Sequence, residues 1–187
     1  KRERGFMSMG LLEKAVSELR PFLYNMNLYF QGESMMHPEF FGMLEKCRGI
    51  NTTLSTNGHF LTAENAEKIV LSGLKKIVIS LDGLDQLTYS AYRVNGDFEK
   101  VIAGIRNIAA AKRDNASGLK LVIQFLVNRM NENQIESAGK FAAETGAELR
   151  LKTMQIISGD HDAWLPAGKR YSRYRRDGAI YVSKNVF

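Results

Sequence analysis

Three features of the sequence predict an α/β fold, a partial parallel (βα) barrel of about five strands with outer helices. Short β-rich runs alternate with amphipathic helical segments along most of the chain. Two of the runs, IVISL and LVIQFLV, are almost continuously apolar, as parallel strands buried on both faces are. The residues just past successive runs are polar or glycine, which is where parallel α/β architectures place their ligands.

The elements follow in order. A helix is expected from about Ser8 to Arg20, and because it precedes the first visible strand an earlier strand is expected upstream. Asn27 to Gln31 is the first β-prone run, and Ile50 to Thr56 (INTTLST), rich in β-branched residues, is the second. Thr62 can cap a helix that buries Ala66, Ile69 and Val70 and that Gly73 ends. Lys76 to Leu81 makes the third strand. Asp97 opens a helix in which Phe98, Val101, Ile102, Ile105, Ile108 and Ala109 recur at helical spacing. Leu119 to Val127 is the fourth strand. Asn131 and Gln134 read as a capping box for a helix that turns Ile135, Ala138, Phe141 and Ala142 inward and closes at Gly146. Ala147 to Met154 is the fifth strand. Beyond Ile157 the periodicity fades, so residues 1–157 are read as the partial barrel and residues 158–187 as an irregular basic connector toward a missing C-terminal domain.

Composition narrows the function classes. At 187 residues and 44% hydrophobic, the chain suits one sizeable core. No apolar run approaches the roughly 18 to 20 residues of a membrane span, and no secretory signal stands near the start, so a cytoplasmic protein is expected. Cys47 is the single cysteine, which excludes an intramolecular disulfide framework and a Cys-rich metal site made within these residues. It is expected to be a small core or surface residue. The net charge of +6 belongs to the ends: Lys169 to Phe187 holds six Lys or Arg against Asp177. Tyr171 and Tyr174 interleave that run as a phosphate grip would require, but a charge run is more often a solvated face, and no nucleic-acid partner is expected.

The residues past each strand carry the chemistry. They are Gln31-Gly32-Glu33-Ser34, Ser55-Thr56-Asn57-Gly58 and Ser80-Leu81-Asp82-Gly83, with Gln124 near the end of the fourth strand. Such a rim suits a small ligand with an amino-acid end and a ribose end. Gly32 lets backbone come close, Glu33 can accept from an ammonium, and Asn57, Ser80 and Asp82 can pair with hydroxyls or a carboxylate. Asn57-Gly58 and Asp82-Gly83 are also ordinary turn dipeptides; their recurrence at successive strand ends favours a site.

The order LYFQGES-MMHPEFF, TLSTNGHFL, SGLKKIVISLDGLDQLTYSAYR and LVIQFLVN closely resembles the radical S-adenosylmethionine (radical SAM) superfamily, in particular its SPASM-type members, over roughly residues 5 to 157. The resemblance implies a SAM site. The family's Gly-Gly-Glu-Pro motif, which binds the amino group of SAM, falls on Gln31-Gly32-Glu33-Ser34; Gln31 replaces the first Gly, and Ser34 in place of Pro implies a less rigid turn. The family's Ser that holds the SAM ribose or carboxylate falls on Ser80, and its carboxylate-pairing Arg on Arg93. Asn57 and Gln124 look like further pocket residues. The cofactors implied for the intact parent are SAM and a [4Fe–4S] cluster, but the CxxxCxxC loop that ligates the cluster and the SPASM cysteines are absent, so the chain is expected to be a truncated piece, without a cluster and inactive alone.

The parent would cleave SAM reductively to a 5′-deoxyadenosyl radical that abstracts hydrogen from a substrate, for which a peptide or protein is the first expectation. Two alternatives stay open. A non-catalytic barrel that has lost its cluster would bind a partner through the basic tail, and a different βα-barrel enzyme would carry a late Gly-rich phosphate loop, which is not seen. A barrel without its first strand exposes the edge of the Asn27 to Gln31 strand, so a homodimer through that edge is expected, or a folded-back surrogate strand from Ala179 to Val182.

Overall fold

The computed structural model describes residues 5–156, 161–178 and 180–184. Its main sheet has five parallel strands in the order β1-β2-β3-β4-β5: Met26–Asn27, Thr52–Thr56, Lys76–Ser80, Lys120–Val127 and Glu148–Thr153. Helices α1 (Met9–Leu19), α2 (Phe40–Lys46), α3 (Ala63–Leu71), α4 (Gln86–Tyr92), α5 (Phe98–Asp114) and α6 (Ile135–Glu144) intervene, giving the partial βα barrel that the alternation predicts. No helix among the described residues is long and apolar enough to cross a membrane. The chain divides into two compact units, residues 1–79 with 100–122 and residues 80–99 with 123–187.

In the first unit the caps fall where the sequence places them. Ser8 accepts from the Leu11 N–H at the start of α1, and Thr62 from the Asn65 N–H at the start of α3. Leu12, Val16, Cys47 and Ile50 form one core cluster, and Ala66, Ile69 and Val70 are buried on α3. The first strand is shorter than Asn27 to Gln31. Its pairing runs only from Met26 to the Leu28 N–H, which donates to the Thr53 carbonyl, because the chain then turns back and the Ser34 hydroxyl donates to the Leu28 carbonyl. The edge that β1 presents is thus two residues long, with few unpaired groups for another strand.

In the second unit Phe125 and Val127 of β4 pack with Ala138 of α6, Leu84, Ile135, Leu149 and Tyr171. Two expectations are corrected here. Asn131 and Gln134 form no capping box, since neither side chain bonds the helix start it precedes and both amides are spent elsewhere. The basic extension is also more regular than the fading periodicity predicts. It holds α7 (His161–Trp164), a 3-10 turn at Lys169–Tyr171 and the antiparallel hairpin of β6 (Tyr174–Asp177) and β7 (Ile180–Ser183). Alternation in these short strands, Tyr174 and Tyr181 among charges, is too brief to stand out as a period. Ile180 to Val182 pair with β6 instead of serving as a surrogate strand for the main sheet; Ala179 and the 157/158 boundary lie outside the described residues. Preceding the hairpin, the Ala167 and Gly168 N–H groups donate to the two carboxylate oxygens of Glu132 at 2.8 and 2.9 Å.

One glycine of the first unit tests the packing. A Cβ on Gly104 of α5 would lie 2.7 Å from the Gly58 carbonyl oxygen and 2.9 Å from Leu61 Cβ. Gly104→Ala gains about 1 kcal/mol of helix propensity but must move backbone, so a net loss of about 1–2 kcal/mol is expected in urea denaturation.

Candidate functional site

In the first unit the site is built at the carboxyl ends of β1 and β2. Gly32 has φ 79°, in the left-handed region, and a Cβ there would meet nothing within 4 Å, so glycine is required by conformation and not by space. Glu33 then opens the 3-10 turn Ser34–Met36, and one of its oxygens accepts from the Met35 N–H at 3.2 Å. The other accepts from the Asn57 N–H at 2.7 Å, joining two of the residues singled out in the sequence. A carboxylate has about four acceptor positions, so two backbone bonds leave capacity for a cationic ligand. The Asn57 side chain caps its own loop, accepting from the His59 N–H at 3.0 Å. Ser34 does not loosen the turn as the loss of Pro implies, because its hydroxyl closes the loop on Leu28. A cleft of about 570 Å³ adjoins Gln31 to Ser34, its other walls drawn from Phe6, Leu28, Met36 and Phe40.

In the second unit the centre is Asp82, fully buried just past β3. Oδ1 accepts from the Leu126 N–H at 2.8 Å, and Oδ2 accepts from Nε of Arg93 at 2.6 Å with Nη2 in ion-pair contact at 2.6 Å. Gly83 makes this pair reachable: a Cβ there would stand 2.5 Å from the Tyr89 nitrogen, so only glycine lets α4 lie this close and bring Arg93, its C-cap, back onto Asp82. The Asp82-Gly83 dipeptide therefore serves a close approach of backbone. Burial pushes the Asp82 carboxyl above its ordinary range, opposed by Arg93, the Leu126 N–H and Lys152. Burial also pushes the Tyr89 hydroxyl up to about 12. Ser80 ends β3 almost buried, and half-buried Gln124 accepts at its carbonyl from the Leu81 N–H.

The capping-box pair of the sequence, Asn131 and Gln134, has a different role, supporting the site. The Asn131 amide, fully buried, donates to the carbonyls of Asp82 and Leu126 and accepts from the Asn128 N–H. Gln134 accepts from the Leu84 N–H and donates to Asp85, the N-cap of α4. The available signal was two asparagines, Asn128 and Asn131, directly after the most apolar strand, where buried amides must have partners.

A [4Fe–4S] cluster does not fit these residues. Cys47 is 1% exposed among apolar side chains and burial pushes its thiol up, away from the thiolate that iron needs. No group of three or more His, Cys, Asp or Glu among the described residues is arranged to hold a metal.

The buried pair has a measurable signature. Arg93→Ala leaves the Asp82 charge without its ion partner and is expected to cost about 3 kcal/mol at neutral pH. The folded state of this variant takes up a proton at Asp82 more readily than the unfolded chain, so its stability rises relative to the parent as pH falls through the raised pKa toward the ordinary carboxylate value. Urea midpoints against pH measure both effects.

Comparison with known proteins bears on the family and the fold. The sequence model of the Radical SAM superfamily matches residues 1–142. The chain is 26% identical over 167 residues to the mycofactocin maturase MftC of Mycobacterium tuberculosis, covering 88% of this chain and 41% of that protein. It is 28% identical over 156 residues to the pre-heme d1 synthase of Dinoroseobacter shibae, covering 82% and 37%. Its fold superposes on Streptococcus suis SuiB bound to S-adenosylmethionine with a TM-score of 0.70 at 15% identity, over 89% of this chain and 38% of that one. The chain thus spans less than half the length of these relatives. With the family match covering most of the described sheet and the strand ends built as above, the chain belongs to the radical SAM superfamily.

Proposed function

We propose that the chain is the SAM-binding core of a radical SAM iron–sulfur oxidoreductase, whose intact parent cleaves SAM reductively and abstracts hydrogen from a substrate. The observation that carries this reading is the Glu33 carboxylate, fixed by the Met35 and Asn57 N–H groups at the wall of an apolar cleft with acceptor capacity to spare. In the first unit Glu33 and the Gly32 backbone, with Asn57 beside them, would hold the ammonium of SAM; in the second Ser80 and Arg93 would serve its ribose and carboxylate, with Gln124 as a further polar residue and Asp82 backing Arg93 from inside the protein. The apolar walls exclude water from the ammonium, which strengthens its attraction to Glu33. When bound, SAM supplies the 5′-deoxyadenosyl group that takes hydrogen from the substrate. The thiolates for a cluster would come from sequence outside these residues. A peptide or protein substrate, following the SPASM-type resemblance, and a cytoplasmic location belong to the same proposal. So does a homodimer at the β1 edge, which light scattering of the chain would detect.

Equilibrium dialysis of the 187-residue chain tests the ligand. SAM is expected to bind, and Glu33→Gln to weaken it by about 2 kcal/mol while 5′-methylthioadenosine, which lacks the amino-acid end, binds as before. Equal SAM affinity in the parent and Glu33→Gln would remove Glu33 from the site. Addition of an upstream CxxxCxxC segment is expected to yield 5′-deoxyadenosine under reduction.

A further inference from the structure

We infer that Asp82 is a positioning residue that fixes the Arg93 guanidinium in one orientation, leaving its remaining N–H groups preset for the carboxylate of the ligand. The inference rests on the reading above that Arg93 receives the SAM carboxylate.

The geometry holds Arg93 from two sides. Nε donates to Asp82 Oδ2, Nη2 pairs with the same oxygen at 2.6 Å, and the Tyr92 ring lies 5.4 Å from the guanidinium carbon. Tyr92 is in turn braced edge-on by Trp164 at 5.9 Å. Among the described residues Nη1 has no hydrogen-bond partner, and the side chain keeps 32% of its exposure. Asp82 itself cannot swing, because Oδ1 is tied to the β4 backbone and its carbonyl is held by Asn131.

A purely structural role explains this arrangement poorly. A fully buried carboxylate is a costly way to tie two strands, and apolar side chains of similar size often do as well. What a buried acid adds is direction. An arginine has four side-chain torsions, and freezing them before the ligand arrives removes an entropic cost from binding. The forked guanidinium offers its second edge to a planar anion only when the first edge is fixed.

The test compares SAM with decarboxylated SAM, which keeps the ammonium, sulfonium and adenosine, by calorimetric titration of the 187-residue chain. Asp82→Asn removes a buried charge while keeping an acceptor for the Leu126 N–H, and Arg93→Lys keeps a cation beside Asp82. Each is expected to weaken SAM about tenfold and decarboxylated SAM by less than about twofold. The double variant is expected to be no weaker than either single one, as for residues acting through one contact. Equal weakening of both ligands by Asp82→Asn would mean a structural role only and overturn the inference. Unchanged SAM affinity in Asp82→Asn beside a loss in Arg93→Lys would overturn the positioning role alone. Unchanged affinity in Arg93→Lys would overturn the carboxylate reading itself.

If Asp82→Asn fails to fold, pH replaces it. The groups facing Asp82 are Arg93 and Tyr89 from α4 and Lys152 from β5, residue types that do not titrate in acid. In the unmutated chain the preference for SAM over decarboxylated SAM is then expected to fall as Asp82 protonates. A preference that stays flat across the pH range in which the Asp82 carboxyl is itself observed to protonate, by infrared or NMR, would overturn the inference.

Discussion

A carboxylate with no exposure persists in a folded protein only when its lone pairs are filled, and in the second unit Asp82 turns that requirement into architecture. One oxygen holds the backbone near the end of β4, and the other holds the residue that terminates α4. The carbonyl of the same residue takes an amide from the loop after β4. Remove the carboxylate from this position and the end of β4 and the end of α4 lose a common partner. The glycine beside it, the asparagines after β4 and the cap of α4 are all placed around that demand.

The first unit uses the same device in a looser form. Glu33, just past β1, accepts from the N–H of Asn57, just past β2, as Asp82 past β3 accepts from Leu126 near the end of β4. In each case an acid at a strand's carboxyl end satisfies a backbone donor of the next strand. Parallel strands leave such donors where the ladder stops, and a carboxylate meets them with a stronger bond than a neutral side chain. The two acids differ in exposure: Glu33 is half-buried at a cleft, and Asp82 is sealed. That difference suits one to touching a ligand and the other to directing a neighbour.

The strands and long helices were legible because their signals are local. Thr62 caps α3, and Val101, Ile102, Ile105 and Ile108 line the buried face of α5 at helical spacing. Boundaries slipped where a tertiary hydrogen bond decided them. The run after Asn27 has strand composition, yet the Ser34 hydroxyl and the Gly32 conformation turn it out of the sheet. Asn131 and Gln134 have the spacing of a cap, yet the unpaired carbonyls of Asp82 and Leu126 and the N–H of Leu84 compete for their amides and win. Site residues were legible as types at strand ends. That Arg93 would be engaged by Asp82 was not, because the contact depends on α4 approaching Gly83, which no spacing encodes.

Residues 167 and 168 are attached through their main chain alone. Glu132 grips two consecutive main-chain N–H groups and no side chain. Substitution at Ala167 leaves its donor in place for anything but proline, whereas a Cβ on Gly168 would lie 3.1 Å from the Tyr171 ring and 3.3 Å from the Glu132 carboxylate and would press on the mooring itself. Glu132 carries the opposite burden, because no neighbouring replacement can restore both bonds once its carboxylate is gone.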